Sequence, residues 1–195
     1  MASDPVVVEV TVAAPVDVVW HALRDSAEIR RWFGWDYDGI EEEIDQIFLS
    51  DIVTESEEER WMDTGGGGRF ELAERGEETV VRVTRPAPAE GTWDGVYDDV
   101  NEGWLAFVQQ LRFLLERHPG EDRRAFSTTH PDPRAALALV EGEDWYRSRH
   151  QHAVKFDGGA ALLIAMRDRL ILTAYGLDAA RFDDLRTRLT PPSRP

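Results

Sequence analysis

Residues 98–120, "DDVNEGWLAFVQQLRFLLERHPG", constrain the fold of this chain more than any other stretch. Trp104, Phe107, Val108, Leu111, Leu114 and Leu115 recur every three or four positions, which on a helix is one continuous apolar stripe. Asp99 and Glu102 stand at capping-box-like spacing, with Asp in place of Ser or Thr, and Pro119-Gly120 ends the pattern. A long helix with such a stripe must lie across an apolar surface, and the segments before it supply one.

"VVVEVTV" (6–12) alternates Val8, Val10 and Val12 with Glu9 and Thr11, the period of a strand with one wet face. "APVDVVWHALRD" follows, with Pro15 suited to a helix start and Val16, Val19, Trp20 and Leu23 on one helical face. "SAEIRRWF" (26–33) reads as a second short helix capped by Ser26 and stopped by Gly34. An acidic loop through Glu41, Glu42 and Glu43 precedes "DQIFLSDIV", "EERWM", "GRFELAE" and "TVVRVTR", short β-rich segments that form an antiparallel meander. The sheet is the partner that the long helix needs.

Beyond residue 120 the pattern gives a polar loop, a helix in "PDPRAALALVEG", two apolar strands "ALLIAM" and "RLILTAYG" turning at Arg167-Asp168, and a helix "DAARFDDLRTRLT". No internal repeat is visible. Residues 1–120 are expected to form the main domain, and 121–195 an extension of helix, hairpin and helix that packs on it and either completes its sheet or forms a small subdomain of its own.

The chain carries a formal charge of −16, and residues 1–64 hold 17 acids against four arginines. Such a surface repels phosphate backbones, which argues against nucleic acid and anionic membranes as partners. No apolar run approaches the roughly 18 residues of a membrane span, and the start "MASDPVVVEV" lacks the features of a secretory signal, so a cytoplasmic location is expected. The absence of cysteine closes disulfides, thiolate metal sites and cysteine nucleophiles. Lys155, the one lysine, leaves little scope for Schiff-base chemistry. No G-x-S-x-G elbow and no HExxH occur, and "GGGG" (65–68) lacks the Lys-Ser/Thr of a phosphate loop, so it reads as a hairpin turn. His150 and His152 could share a metal with Asp144 or Asp157, but two histidines in an Arg-rich stretch are more often solvated. No catalytic residue, metal site or cofactor is assigned, and whether the chain is an enzyme stays open.

The order of these elements resembles the START-like (SRPBCC) superfamily of helix-grip proteins, over residues 6–117. The features that carry it are Ala14, Pro15, Val18 or Val19, Trp20, Ala22 and Leu23 after the first strand, Trp32-Phe33-Gly34, and Gly103, Trp104 and Leu111 at the start of the long helix. Within the superfamily the branch of activator of heat-shock-protein-90 ATPase homologues is the nearest. The resemblance implies an α+β fold in which a curved antiparallel sheet grips the long helix over an apolar cavity. Trp32, Phe33, Trp35, Tyr37, Trp61, Phe70, Trp93, Tyr97, Trp104, Phe107 and Leu111 are the residues such a cavity would draw on, with core filling as the alternative for each ring.

The expected function is therefore noncatalytic binding of a small apolar or aromatic molecule, lipids included. A polyketide cyclase or aromatase-like enzyme and a chaperone-associated stress or protein-interaction role are the alternatives. The oligomeric state is left open, with a homodimer among the options.

Overall fold

The structure is a computed structural model and describes residues 6–86 and 94–192. The long helix begins at Asp94, so Asp99, expected to cap it, stands inside the helix instead, and its side chain lies outside the described residues. The chain divides into two units, Met1–Phe33 with Gly39–Gly120, and Gly34–Asp38 with Glu121–Pro195.

The first unit is an α+β helix-grip arrangement. Strand β1 (Val6–Val12) leads into α1 (Val16–Arg24) and α2 (Ser26–Arg30). Val19, Trp20, Ala22 and Leu23 are the buried face of α1. The cap of α2 is Asp25 rather than Ser26: Glu28 N donates to Asp25 Oδ1 at 3.0 Å, so the serine is already the first helical residue. The acidic stretch expected as a loop forms α3 (Ile40–Ile44), which buries Ile40 and Ile44 and turns its glutamates outward, apart from half-buried Glu43. "DQIFL" is not a strand but one turn of π-helix, Asp45–Leu49, in which Ser50 N bonds back five residues to Asp45 O at 2.8 Å.

Strands β2 (Thr54–Ser56), β3 (Trp61–Asp63), β4 (Arg69–Arg75) and β5 (Glu78–Thr84) complete an antiparallel sheet in the order β1-β5-β4-β3-β2. Val8, Val10 and Val12 of β1, Phe70 and Leu72 of β4, and Val81 and Val83 of β5 face inward, as a period of two requires. Helix α4 (Asp94–Arg117) packs on β1. Its stripe of Trp104, Val108, Leu111 and Leu114 is buried, but so are Ala106, Gln109, Gln110 and Phe113. The helix is thus enclosed on more than the one side the stripe marks.

The second unit holds β6 (Arg123–Thr129), α5 (Pro133–Ala136), β7 (Glu143–Arg147), β8 (Gln151–Phe156), β9 (Ala161–Met166), β10 (Arg169–Tyr175) and α6 (Ala179–Leu189). Its order is β6-β10-β9-β8-β7, so the hairpin of β9 and β10 is the centre of a second five-stranded sheet and adds nothing to the first. Where the sequence suggested helix, hairpin and helix, three further strands are present.

This topology repeats that of the first unit, although no repeat shows in the sequence. In each, the first strand runs into short helices and four meandering strands follow. The last of these pairs with the first, and a helix ends the unit. On one face of the second sheet, Leu163, Leu170 and Leu172 pack against Phe182, Leu185 and Leu189 of α6. Ile164, Ile171 and Tyr175, facing the other way, are equally buried, which is why both strands read as unbroken apolar runs.

Residues 34–38 run along the free edge of β6. Asp36 N donates to Ala125 O at 3.1 Å, Ala125 N donates to Asp36 Oδ2 at 2.8 Å, and Arg123 Nη1 donates to Gly34 O at 3.1 Å. An open strand edge is thereby partly satisfied.

Candidate functional site

A cluster of six aromatic rings forms the centre of the first unit. Helix α2 and the turn after it supply Trp32 and Phe33, the π-turn supplies Phe48, β4 supplies Phe70, and α4 supplies Trp104 and Phe107. Ring centroids lie 4.8 Å apart for Phe33 and Phe107, 5.0 Å for Phe33 and Phe48, and 5.3 Å for Phe70 and Trp104. Most pairs meet edge to face or tilted, the geometry that aromatic quadrupoles favour. Trp32 is fully enclosed, and its indole N–H donates to Ala22 O at 2.8 Å. Phe33, Phe48 and Phe70 are equally enclosed, whereas Phe107 is half-buried and Trp104 keeps 5% of its surface exposed. The cluster thus has a closed end and a more open one, and α4 holds the open end.

The glycine-rich turn between β3 and β4 covers part of that end. Gly65 N donates to Ile47 O at 2.8 Å, which ties the turn to the π-helix. A Cβ on Gly66 would stand 3.8 Å from Trp104 Cζ2. Thr64, itself buried, closes the turn by donating its hydroxyl to Gly68 O at 2.9 Å. On the sheet side of the same turn a cleft of about 570 Å³ is lined by Thr64, Gly67, Gly68, Arg69, Glu71 and Thr84, among others. Arg69 spans this cleft with a two-point ion pair to Asp63, at 2.6 and 2.7 Å, and lies over the Trp61 ring at 4.2 Å. The Arg69 hydrogen bonds lead in holding the Asp63 carboxyl below its usual value, against the opposing effect of burial.

The structure therefore sorts the rings expected at the site. Trp32, Phe33, Phe70, Trp104 and Phe107 come together, and buried Leu111 lies one turn further along α4. Trp61 stands apart on β3 beneath Arg69, its N–H donated to Glu59. Trp35 and Tyr37 belong to the second unit, where Trp35 faces the Arg169 guanidinium at 5.0 Å and Tyr37 is exposed. The separation occurs at Gly34, whose φ of 62° turns the chain in the left-handed region. Trp93 lies outside the described residues, as does the side chain of Tyr97. Phe48 was missed because its segment read as a strand.

In the second unit His152 Nε2 lies 2.7 Å from Asp144 Oδ1, and Arg147 binds the same carboxylate at 2.9 and 3.0 Å. Asp157 pairs instead with Arg181. Among the described residues no group of three or more His, Asp or Glu side chains is arranged to hold a metal. Hydrogen bonds from Arg147 first, and His152 second, hold the Asp144 carboxyl at about 2, below its ordinary value of 3.8. A depressed carboxyl favours the folded state above its unfolded value, and this contribution fades as the pH falls from about 3.8 towards 2. Arg147→Ala is expected to move the Asp144 titration upward towards the ordinary range in a carboxyl-detected NMR titration. An unchanged midpoint would remove Arg147 as the cause.

Among the described residues no helix is long and apolar enough to cross a membrane. No family model matches the chain, and no curated protein matches it. Two solved structures are similar in chain path. DynU16, a protein of the dynemicin biosynthetic locus, shares 18% identity over 93% of this chain and 91% of its own, with a TM-score of 0.43. The di-domain ARO/CYC StfQ of the steffimycin biosynthetic pathway shares 11% identity over 86% of this chain and 82% of its own, with a TM-score of 0.34. Likenesses this slight carry no conclusion about what this chain binds.

Proposed function

We propose that the first unit is a START-like helix-grip module that binds a small apolar or aromatic molecule without converting it. The observation that carries this reading is the aromatic cluster, whose more open end, Trp104 and Phe107, sits beside a glycine-rich turn. Rings offer apolar contact area at low cost in side-chain entropy, and a turn rich in glycine can rearrange to admit a ligand. The charged residues that flank the turn, Asp63 and Arg69, are spent on each other, which favours binding over acid–base chemistry. The heat-shock activator branch of the superfamily rests on sequence motifs alone and is not part of this proposal.

The test is a titration of the intrinsic tryptophan fluorescence with fatty acids, sterols and aromatic polyketides. Saturable quenching by one chemical class is the expected result, and a flat response to all three would overturn the reading. Conversion of the quenching compound to a new product would instead favour a cyclase-like enzyme.

A further inference from the structure

The Trp104 indole N–H stands out among the polar groups of the ring cluster. Trp32 spends its N–H on Ala22 O, and Trp61 spends its own on Glu59. Among the described residues the Trp104 N–H has no acceptor, although the residue is 95% buried. It is also not one of the fully enclosed unpartnered atoms, so it keeps access to solvent. Its position agrees: Cζ2, two bonds from Nε1 along the ring edge, would lie 3.8 Å from a Cβ on Gly66, beside the turn. An indole N–H at such a rim is open to water, and a ligand that covers it loses affinity unless it brings an acceptor of its own. Here the donor lies at the rim of an apolar ring cluster, beside the turn through which a ligand would enter.

We infer that Trp104 is a specificity-determining residue, and that its N–H donates to an oxygen acceptor, such as a ring carbonyl, on the molecule the cluster takes. This rests on the ligand-site reading above and narrows it: the preferred ligand is a ring system with a carbonyl on its edge, and a pure hydrocarbon of the same shape is the weaker one. The neighbouring rings supply contact area but no second donor, since their one other indole N–H, that of Trp32, is committed to the backbone.

The matched probes are 1-tetralone and tetralin, which share a skeleton and differ by one carbonyl oxygen. Their dissociation constants would be measured on the full chain by ligand-detected NMR. Tetralone is expected to bind about 5-fold more tightly, the worth of one net hydrogen bond. In Trp104→Phe the preference should fall below about 2-fold, because the ring remains and the donor is gone. The wild-type protein gives a second readout that needs no variant: of its seven indole N–H signals, one should move downfield with tetralone and stay in place with tetralin.

Equal binding of the two probes by the wild-type protein would overturn the inference and leave the ligand site standing. A preference that survives in Trp104→Phe would overturn the assignment to Trp104. If neither probe binds, the inference is overturned, and the fluorescence titration described above decides whether the ligand-site reading falls with it.

Discussion

Phe48→Ala is expected to destabilise the protein by about 3–5 kcal/mol in denaturant unfolding, the range for removing a fully buried ring. Phe48 is completely enclosed and touches Trp32, Phe33, Phe70 and Trp104, so it links the helical opening of the first unit to its sheet and to α4. Truncation removes its transfer free energy and leaves a void that four neighbouring rings cannot all collapse into. The π-turn adds to the effect, because a backbone paired five residues apart has poorer inherent geometry and depends on what its side chains bury. A loss below about 1 kcal/mol would mean that the cluster repacks, and would contradict the central place given to this ring.

Gly65→Ala is the second large effect, and its cause is backbone rather than side chain. A Cβ at residue 65 would fall 2.1 Å from Gln46 O and 3.1 Å from Gln46 C, atoms that cannot swing aside as a flexible side chain could. Either the glycine-rich turn lifts off and loses the Gly65 N to Ile47 O bond, or the π-turn shifts and carries Phe48 with it. The expected cost is about 1–3 kcal/mol for overpacking, with the lost hydrogen bond added to it. Gly66→Ala is the control. Its Cβ would make only ordinary contacts at 3.8 Å and needs no left-handed backbone, so a change within about 0.5 kcal/mol is expected. Equal unfolding midpoints for the two variants would show that the turn is not anchored at Gly65.

The parts of the fold legible in the sequence are those whose periodicity is long or is reinforced by a terminal signal. β1 alternates cleanly, α1 follows Pro15, and α4 repeats its stripe over several turns. The π-turn could not be read, because five residues are too few to set any period, and Ile47, Phe48 and Leu49 in a row suit a strand as well. β6 was read as a loop because, as an edge strand flanked by arginine and threonine, it buries only Ala125 fully.

The repeat of topology was hidden for a related reason. A 24-residue helix in one unit corresponds to an 11-residue helix in the other, and different residues fill equivalent places. Its traces are a proline shortly after the first strand, Pro15 and Pro133, and a two-residue turn joining the last two strands, Gly76-Glu77 and Arg167-Asp168. For the site, residue type singled out Trp32, Phe70, Trp104 and Phe107. It could not show that Gly34 sends Trp35 and Tyr37 into the other unit, since one φ angle leaves no mark in the hydrophobic pattern.

The central claim is that the ring cluster of the first unit receives a small molecule, and native mass spectrometry of gently purified protein tests it most directly. The account predicts a noncovalent adduct of a few hundred daltons, on the scale of the ring systems such a cluster fits, reduced or lost in Trp104→Ala. A bare chain mass, together with no adduct after incubation with fatty acids, sterols and aromatic polyketides, would contradict it.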